Sequence, residues 1–245
     1  MQTHVFLIRT LTNLHVGSGD ASYGAVDKLV QRDPTSKMPT IHSTSIKGAL
    51  REYFEEIAGW KHPQHPKKAH EKVEHIFGSA VQDSENAQQG HYHFFSADLL
   101  ELAVPDESDN PGETFVRITT EDILNQLAEK AELLGGFLPK AGRALIDKAV
   151  GATYQYKSKV VPQELMIEKA EELPVIARNQ LENGISNNLW YEEIVPRETI
   201  FAWIVQSNGH ADLEAEFLRK IDQQIIQIGA NATVGYGFCH FTKIN

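Results

Sequence analysis

Three hydroxyl residues, Ser43, Thr44 and Ser45, run directly into two cations one helical turn apart, Lys47 and Arg51. From Ile46 onward the apolar residues fall at 46, 49, 50, 53, 54, 57 and 58, the spacing of one buried helical face. The three hydroxyls are each competent N-caps, so a helix is expected to open here. Cations weaken the first turns of an isolated helix, because the macrodipole there favours anions. They make chemical sense where hydroxyls, free N–H groups and two positive charges together hold a phosphate. The alternative is a solvated basic pair balanced by Glu52, Glu55 and Glu56.

Two glycine-bearing stretches suggest the same chemistry. Gly17-Ser18-Gly19-Asp20 breaks an apolar run, and Gly229 to Gly237 places three glycines in a short span that also carries Asn231, Thr233 and Tyr236. Neither has the G-x-G-x-x-G spacing of a dinucleotide loop. Both are expected to bring backbone close to a ligand. Asp27, with Lys28 and Arg32 nearby, is a carboxylate in the segment after the first of these loops. Histidines at 62, 65, 70, 75, 91 and 93 raise a metal site as a competing idea, but no second His stands four residues after His70.

The totals narrow the class. A formal net charge of −10 argues against a free-standing nucleic-acid binder, although a local basic groove is compatible with it. The single cysteine, Cys239, excludes an internal disulfide and a thiolate zinc cluster. No apolar run has membrane-spanning length and no signal-peptide pattern opens the chain, so it is read as cytoplasmic.

The elements expected to position these residues follow from periodicity. A strand is expected from His4 to Val16, with Phe6, Ile8, Leu14 and Val16 on one side, and a short extended segment from Val26 to Arg32. A surface segment carries His62 to His75, and His91 to Phe95 alternates as a strand. Thr119 or Thr120 caps a helix from Glu121 to about Leu134, and Lys157 to Glu168 alternates weakly. A β-hairpin turns at Gly184 to Asn188 and carries Leu189 and Trp190 as candidate wedges against bases. A strand from Thr199 to Gln206, a helix from Ala211 to Ile228 and a strand from Phe238 to Ile244 complete the chain. The order fits an α+β, ferredoxin-like (RRM-like) core, β-α-β-β-α-β, with long insertions and one sheet face open to RNA.

Six segments in order carry a resemblance: Val16 to Gly19, Val26 to Asp33, Pro39 to Arg51, Phe77 to Ser79, Leu189 to Pro196, and Ile228 to Gly237. Together they resemble the RAMP superfamily, and more closely the backbone subunit of type III-B (Cmr-type) CRISPR effector complexes. Ser43 departs from the glycine common in that family, and residues 80 to 175 are not placed by the resemblance. The resemblance implies a palm over about 1–60 and 196–245, an insertion over about 61–176 and a hairpin thumb over about 177–195. It implies copies stacked along a guide RNA with other subunits of the complex, and a complementary target RNA cut at regular intervals. The implied catalytic residue is Asp27, as ligand of a transient divalent metal (Mg2+ or Mn2+) or as base. Gly17, Ser18, Gly19, Ser43, Thr44, Ser45, Lys47, Arg51, Gly229, Asn231, Thr233, Gly235 and Tyr236 would face RNA.

Three rival readings remain open at this point: a non-catalytic guide-RNA scaffold, a guide-processing endoribonuclease using His15 or His42, and a zinc enzyme built on His91, His93 and the stretch from His62 to His75. Replacing Lys47 with glutamate is expected to lower the guide RNA retained by the purified complex several-fold, by reversing one phosphate-facing charge. Unchanged guide content removes Lys47 from the phosphate site.

Overall fold

Alternation along the first strand decides the layering. In the computed structural model, which describes residues 1–19, 24–60, 70–79, 87–108, 114–136 and 158–244, Phe6 and Ile8 enter one apolar cluster. Val5 and Leu7 enter a second on the opposite face. A strand buried on both faces lies centrally in its sheet.

The elements run β1 (Gln2–Thr10), β2 (Thr40–Ile41), α1 (Ser43–Glu56), α2 (Glu71–Phe77), β3 (His93–Phe94), β4 (Ala97–Pro105), β5 (Phe115–Thr119), α3 (Glu121–Leu133), β6 (Ser158–Val160), α4 (Gln163–Glu171), β7 (Val175–Glu182), β8 (Ile185–Glu193), β9 (Ile200–Ser207), α5 (Ala211–Ile221), β10 (Ile225–Gln227) and β11 (Phe238–Lys243). The main sheet is ordered β10-β11-β1-β9-β4-β5-β6, with β2 beside β4 and β3 beside β9. Its pairings are antiparallel except β5 with β6, so the sheet is mixed. β7 and β8 form a separate two-stranded sheet.

Helices cover both faces. On the Phe6 side, α1 contributes Ile46, Leu50 and Phe54, α2 Val73 and Phe77, and α5 Phe217 and Ile221. On the Val5 side, α3 lays Leu124, Leu127 and Ala131 over Leu7, Leu100, Ile200 and Ala202. The sheet face expected to lie open to RNA is therefore covered there by α3.

Several expected boundaries move, each for a local reason. β1 ends at Thr10, whose hydroxyl donates to the carbonyls of Pro196 and Thr199, and Leu14 pairs separately with Val195. The serine and threonine hydroxyls do not cap α1. Its N-cap is His42, which makes no side-chain cap bond. The early donors are met from elsewhere: Gln31 Oε1 accepts the His42 N–H at 2.8 Å and Ser96 Oγ the Ser43 N–H at 3.2 Å. α1 also stops at Glu56, leaving Ile57 outside the core at 74% exposure. Part of the histidine-bearing segment is a packed helix, α2, because Val73, Ile76 and Phe77 are buried. The alternating stretch from His91 reduces to β3.

The weak alternation after Lys157 resolves into β6 and then α4, where Met166 and Ala170 sit four apart on a buried face. The last helix ends at Ile221, and the chain turns through Gln223 (φ 59°) to pair β10 with β11. The hairpin turns at Asn183-Gly184, both with positive φ, as a two-residue turn between strands requires. Thr120 caps α3 as expected, accepting the Ile123 N–H at 3.2 Å. Ser22, Tyr23, His62, His65, the polar run from Gln82 to Glu85 and the stretch 137–156 lie outside the described residues.

Phe54 joins three elements. Its ring stacks on Phe217 at 5.2 Å and meets Trp60 at 4.4 Å and Phe77 at 5.9 Å. Phe54→Ala is expected to cost about 3–5 kcal/mol, read as a lower midpoint in urea denaturation; a cost below about 1 kcal/mol would mean that the helical layer closes over the gap.

Candidate RNA-facing site

The base of the hairpin is fixed by two adjacent glutamates that leave β8 on opposite sides. Glu192 and Glu193 are both buried, at 1% and 5% exposure. Glu193 takes Arg32 Nη2 at 2.6 Å and the Val30 N–H at 3.0 Å. Glu192 Oε1 takes Lys28 Nζ at 3.1 Å and the Trp190 indole N–H at 2.7 Å, and its Oε2 takes Asn231 Nδ2 at 2.9 Å. The segment 26–33 is thereby fastened along the hairpin by side chains as well as by the Lys28–Glu192 bridge.

Asp27 sits inside that seam. Its N–H and that of Lys28 both reach the Tyr191 carbonyl at 3.1 Å. Its carboxylate Oδ2 accepts the Tyr191 N–H at 2.7 Å. The side chain is exposed, and Oδ1 has no partner among the described residues. Asp27 therefore offers one oriented, ionisable oxygen to solvent at the root of a projecting hairpin.

The surrounding charges are largely paired. Lys28 Nζ also lies 5.0 Å above the Trp190 ring, and the Arg178 guanidinium lies 5.3 Å above the Tyr236 ring. Burial pushes the Glu192 carboxyl up, but the hydrogen bonds from Trp190 and Lys28 and the nearby positive charge outweigh burial and hold it below its ordinary value.

The expected RNA-facing residues divide into groups. Asn231 and Tyr236 meet the hairpin base through Glu192 and Arg178. Gly17, Ser45 and Gly229 line a cavity of about 320 Å³ with Gln31, Glu52 and Gln227. Ser18 is tied by its N–H to the Leu29 carbonyl at 3.0 Å, and Gly19, Thr44, Thr233 and Gly235 are exposed. Ser43 is half-buried against Ser96.

The two cations of α1 lie away from Ser45. Lys47 Nζ stands 5.9 Å over the Phe94 ring, and Arg51 bonds Glu55 and the Gly78 carbonyl, both at 3.0 Å. Positions two and six residues beyond Ser45 fall on other helical faces, whereas Ser43 and Thr44 stand four and three residues before Lys47, on its own face of α1.

Two glycines also have a different reason from the one expected. A Cβ on Gly229 would come within 2.5 Å of the His15 carbonyl, and one on Gly237 would strike the Ile228 carbonyl; both residues have positive φ. Close approach of the protein's own backbone accounts for them without a ligand.

Leu189 and Trp190 point to opposite faces of the hairpin. Leu189 is 53% exposed, as a wedge requires, whereas Trp190 is half-buried against Lys28 and Glu192. Ile185 beside the turn is 73% exposed and is the more projecting apolar residue. His91 lies outside any strand, its ring stacked on His75 at 4.2 Å. Among the described residues no three His, Cys, Asp or Glu side chains gather as a metal cage would need.

Sequence reading passed over Glu192, Arg178, Gln31 and Gln227 as site residues. The usable signal was the Glu192-Glu193 pair opposite Lys28 and Arg32, complementary in number and sign. A glutamate held below its unfolded value contributes stability that is complete above about pH 4.5 and drains as the pH falls through its folded value. The fluorescence assignable to Trp190, taken as the difference from Trp190→Phe, is expected to change below pH 4.5. The same transition surviving in Glu192→Gln would assign it to another group.

The model of the family described as the RAMP superfamily matches residues 7–240. The CRISPR system Cmr endoribonuclease Cmr4 of Pyrococcus furiosus is 28% identical, over 99% of this chain and 96% of that protein. The CRISPR system Cms endoribonuclease Csm3 of Mycobacterium tuberculosis is 31% identical over 51% of this chain and 53% of that protein. Among solved structures, a chain of the type III-B Cmr-beta complex bound to cognate target RNA superposes with a TM-score of 0.76 at 18% identity, covering 100% of this chain and 98% of that one. Oligomeric Cmr4 from Pyrococcus furiosus gives 0.70 at 19% identity, with the same coverages. The family match runs nearly end to end, and the chain belongs to the RAMP superfamily.

Proposed function

We propose that this chain is the backbone subunit of a type III-B RNA-guided effector, lining up in copies along a guide RNA and cutting the paired target RNA beside each hairpin. The observation that carries the reading is the carboxylate of Asp27, oriented by the Tyr191 N–H at the root of a hairpin that projects exposed Ile185 and Leu189. The relative similar over its whole length is named a CRISPR endoribonuclease, a solved neighbour holds cognate target RNA, and another is oligomeric.

The core is read as a ferredoxin-like palm. β1, α1, β4, β9, α5 and β11 follow the β-α-β-β-α-β order, and their strands lie β11-β1-β9-β4 across the sheet, which supports it. The palm then spans about 1–60 and 196–245 and takes one strand, β4, from the insertion of about 61–176, while the thumb spans about 177–195, with β7 beginning just ahead of that last boundary. Among the described residues no helix is long and apolar enough to cross a membrane.

RNA carries its own nucleophile. The 2′-oxygen attacks the adjacent phosphorus, the P–O5′ bond breaks, the 2′-OH loses its proton and the leaving 5′-oxygen gains one from solvent. Attack must be in line, which a paired A-form strand forbids, so a nucleotide has to be splayed out. The hairpin does this through its exposed apolar side chains, held at a set angle by Glu192 and Glu193. Asp27 presents Oδ1 to the opened phosphate.

The donor set fits a magnesium or manganese ion that keeps most of its waters and takes one carboxylate plus substrate phosphate oxygens. It does not fit an all-protein cage, since both Glu192 oxygens are already engaged. Asp27 would hold such an ion, whose chemistry is to neutralise charge on the phosphate.

Asp27→Asn keeps an acceptor for the Tyr191 N–H and removes the charge. Target cleavage by the guide-loaded complex is expected to fall by about a hundredfold or more, and Asp27→Ala is expected to do the same. Assembly and target binding stay intact in both. Undiminished cleavage moves the catalytic role to another residue; loss of target binding in Asp27→Asn means that the residue positions the hairpin instead.

A further inference from the structure

We infer that the cavity between the Gly17 loop, α1 and the Gly229 loop is a ribose subsite that recognises the 2′-hydroxyl of RNA, an inference that rests on the RNA-binding reading above. The argument is an account of which hydrogen-bonding groups remain unused. The cavity, of about 320 Å³, is lined by Gly17, Gln31, Ser45, Glu52, Gln227 and Gly229, together with Val16 and Ala49, and among the described residues no lysine or arginine lines it.

Gln31 is committed in full. Its Oε1 accepts the His42 N–H at 2.8 Å, and its Nε2 donates to the Gly17 carbonyl at 3.2 Å and to Ser45 Oγ at 3.0 Å. The Ser45 hydroxyl returns to Gln31 Oε1 at 3.4 Å. This buried amide, 7% exposed, ties the Gly17 loop to the start of α1 and sets one wall. Gln227 Nε2 is spent on the carbonyls of Gly229 at 3.0 Å and of Ile228 and Tyr236 at 3.3 Å. Of the side chains, what remains is acceptors: Gln227 Oε1 and the Glu52 carboxylate, which has no partner among the described residues; the Gly17 and Gly229 N–H groups are backbone donors that likewise make no bond among the described residues.

A phosphate brings only negative acceptors, and Glu52 would repel it. A neutral group that donates is complementary, and on a nucleic-acid backbone that group is the 2′-OH. The phosphates then pass outside the cavity.

Glu52 lies on the exposed side of α1, so its replacement leaves the fold intact. The full chain is titrated with one guide sequence in two forms, all-ribose and 2′-fluoro, the latter keeping the sugar pucker but losing the donor. The parent chain is expected to bind the ribose form about tenfold more tightly, the scale of one hydrogen bond to a charged acceptor. In Glu52→Ala that ratio falls to near one. Glu56→Ala removes the same charge from the same helix away from the cavity and keeps the ratio.

Equal binding of the two forms by the parent chain overturns the ribose subsite and leaves the RNA reading standing. So does a ratio that Glu52→Ala preserves, or one that follows base identity rather than the sugar. Binding of neither form, at chain concentrations where copies assemble side by side, takes the proposed function down as well.

Discussion

Everything around the candidate site depends on two buried carboxylates at the root of the hairpin. Glu192 and Glu193 are neighbours in β8, yet alternation sends them to opposite faces, and each finds a cation from the segment that carries Asp27. A buried ion pair adds little stability over an apolar pair, but breaking one by removing a partner is costly. Its use here is registration. With Arg32 also bonded to the Ala170 carbonyl at 2.8 Å, the segment 26–33 is held between the hairpin and α4 and has one position available to it. Asp27 inherits that position. The catalytic candidate is a loop residue with the placement of a sheet residue.

How far this was legible in the sequence follows from the range of the interactions. The buried face of α1 came directly from spacing, because Ile46, Leu50, Tyr53 and Phe54 report their neighbours within two turns. The same holds for the two faces of β1. Partners that lie 160 or so residues apart, such as Arg32 with Glu193, leave no local pattern. The cap of α1 failed for the same reason: three local hydroxyls competed with Gln31 and Ser96, and the distant groups took the early donors. The glycines misled in a different way. A glycine that admits a ligand and one that admits the protein's own carbonyl read alike in sequence, and Gly229 and Gly237 both stand against the protein's own carbonyls.

The covering of the sheet by α3 bears on the proposed RNA-binding reading. Leu124, Leu127 and Ala131 occupy the face that an unmodified ferredoxin-like sheet would offer to bases. On the proposed function, contact would then come from the rim, where the Gly17 loop, the start of α1, the Gly229 loop and the hairpin base meet. Those four segments are distant in sequence and share one organiser each side: Gln31 joins the first two, and Glu192 joins the hairpin to Asn231.

The electrostatics of that rim bear on how affinity arises. Lys28, Arg32 and Arg51 are all engaged by carboxylates, and the chain as a whole carries −10. On the proposed function, these three cations therefore offer little unneutralised charge with which to release counterions from an RNA backbone, the usual source of strong binding. Binding through backbone groups and hydroxyls is weaker per contact but cumulative. Copies held side by side on one strand convert each further contact into an intramolecular one, and a weak rim becomes a tight groove without any added cation. On the proposed function, an acidic chain can hold RNA in this way provided that it does so in company, which would tie the charge of the protein to its assembly.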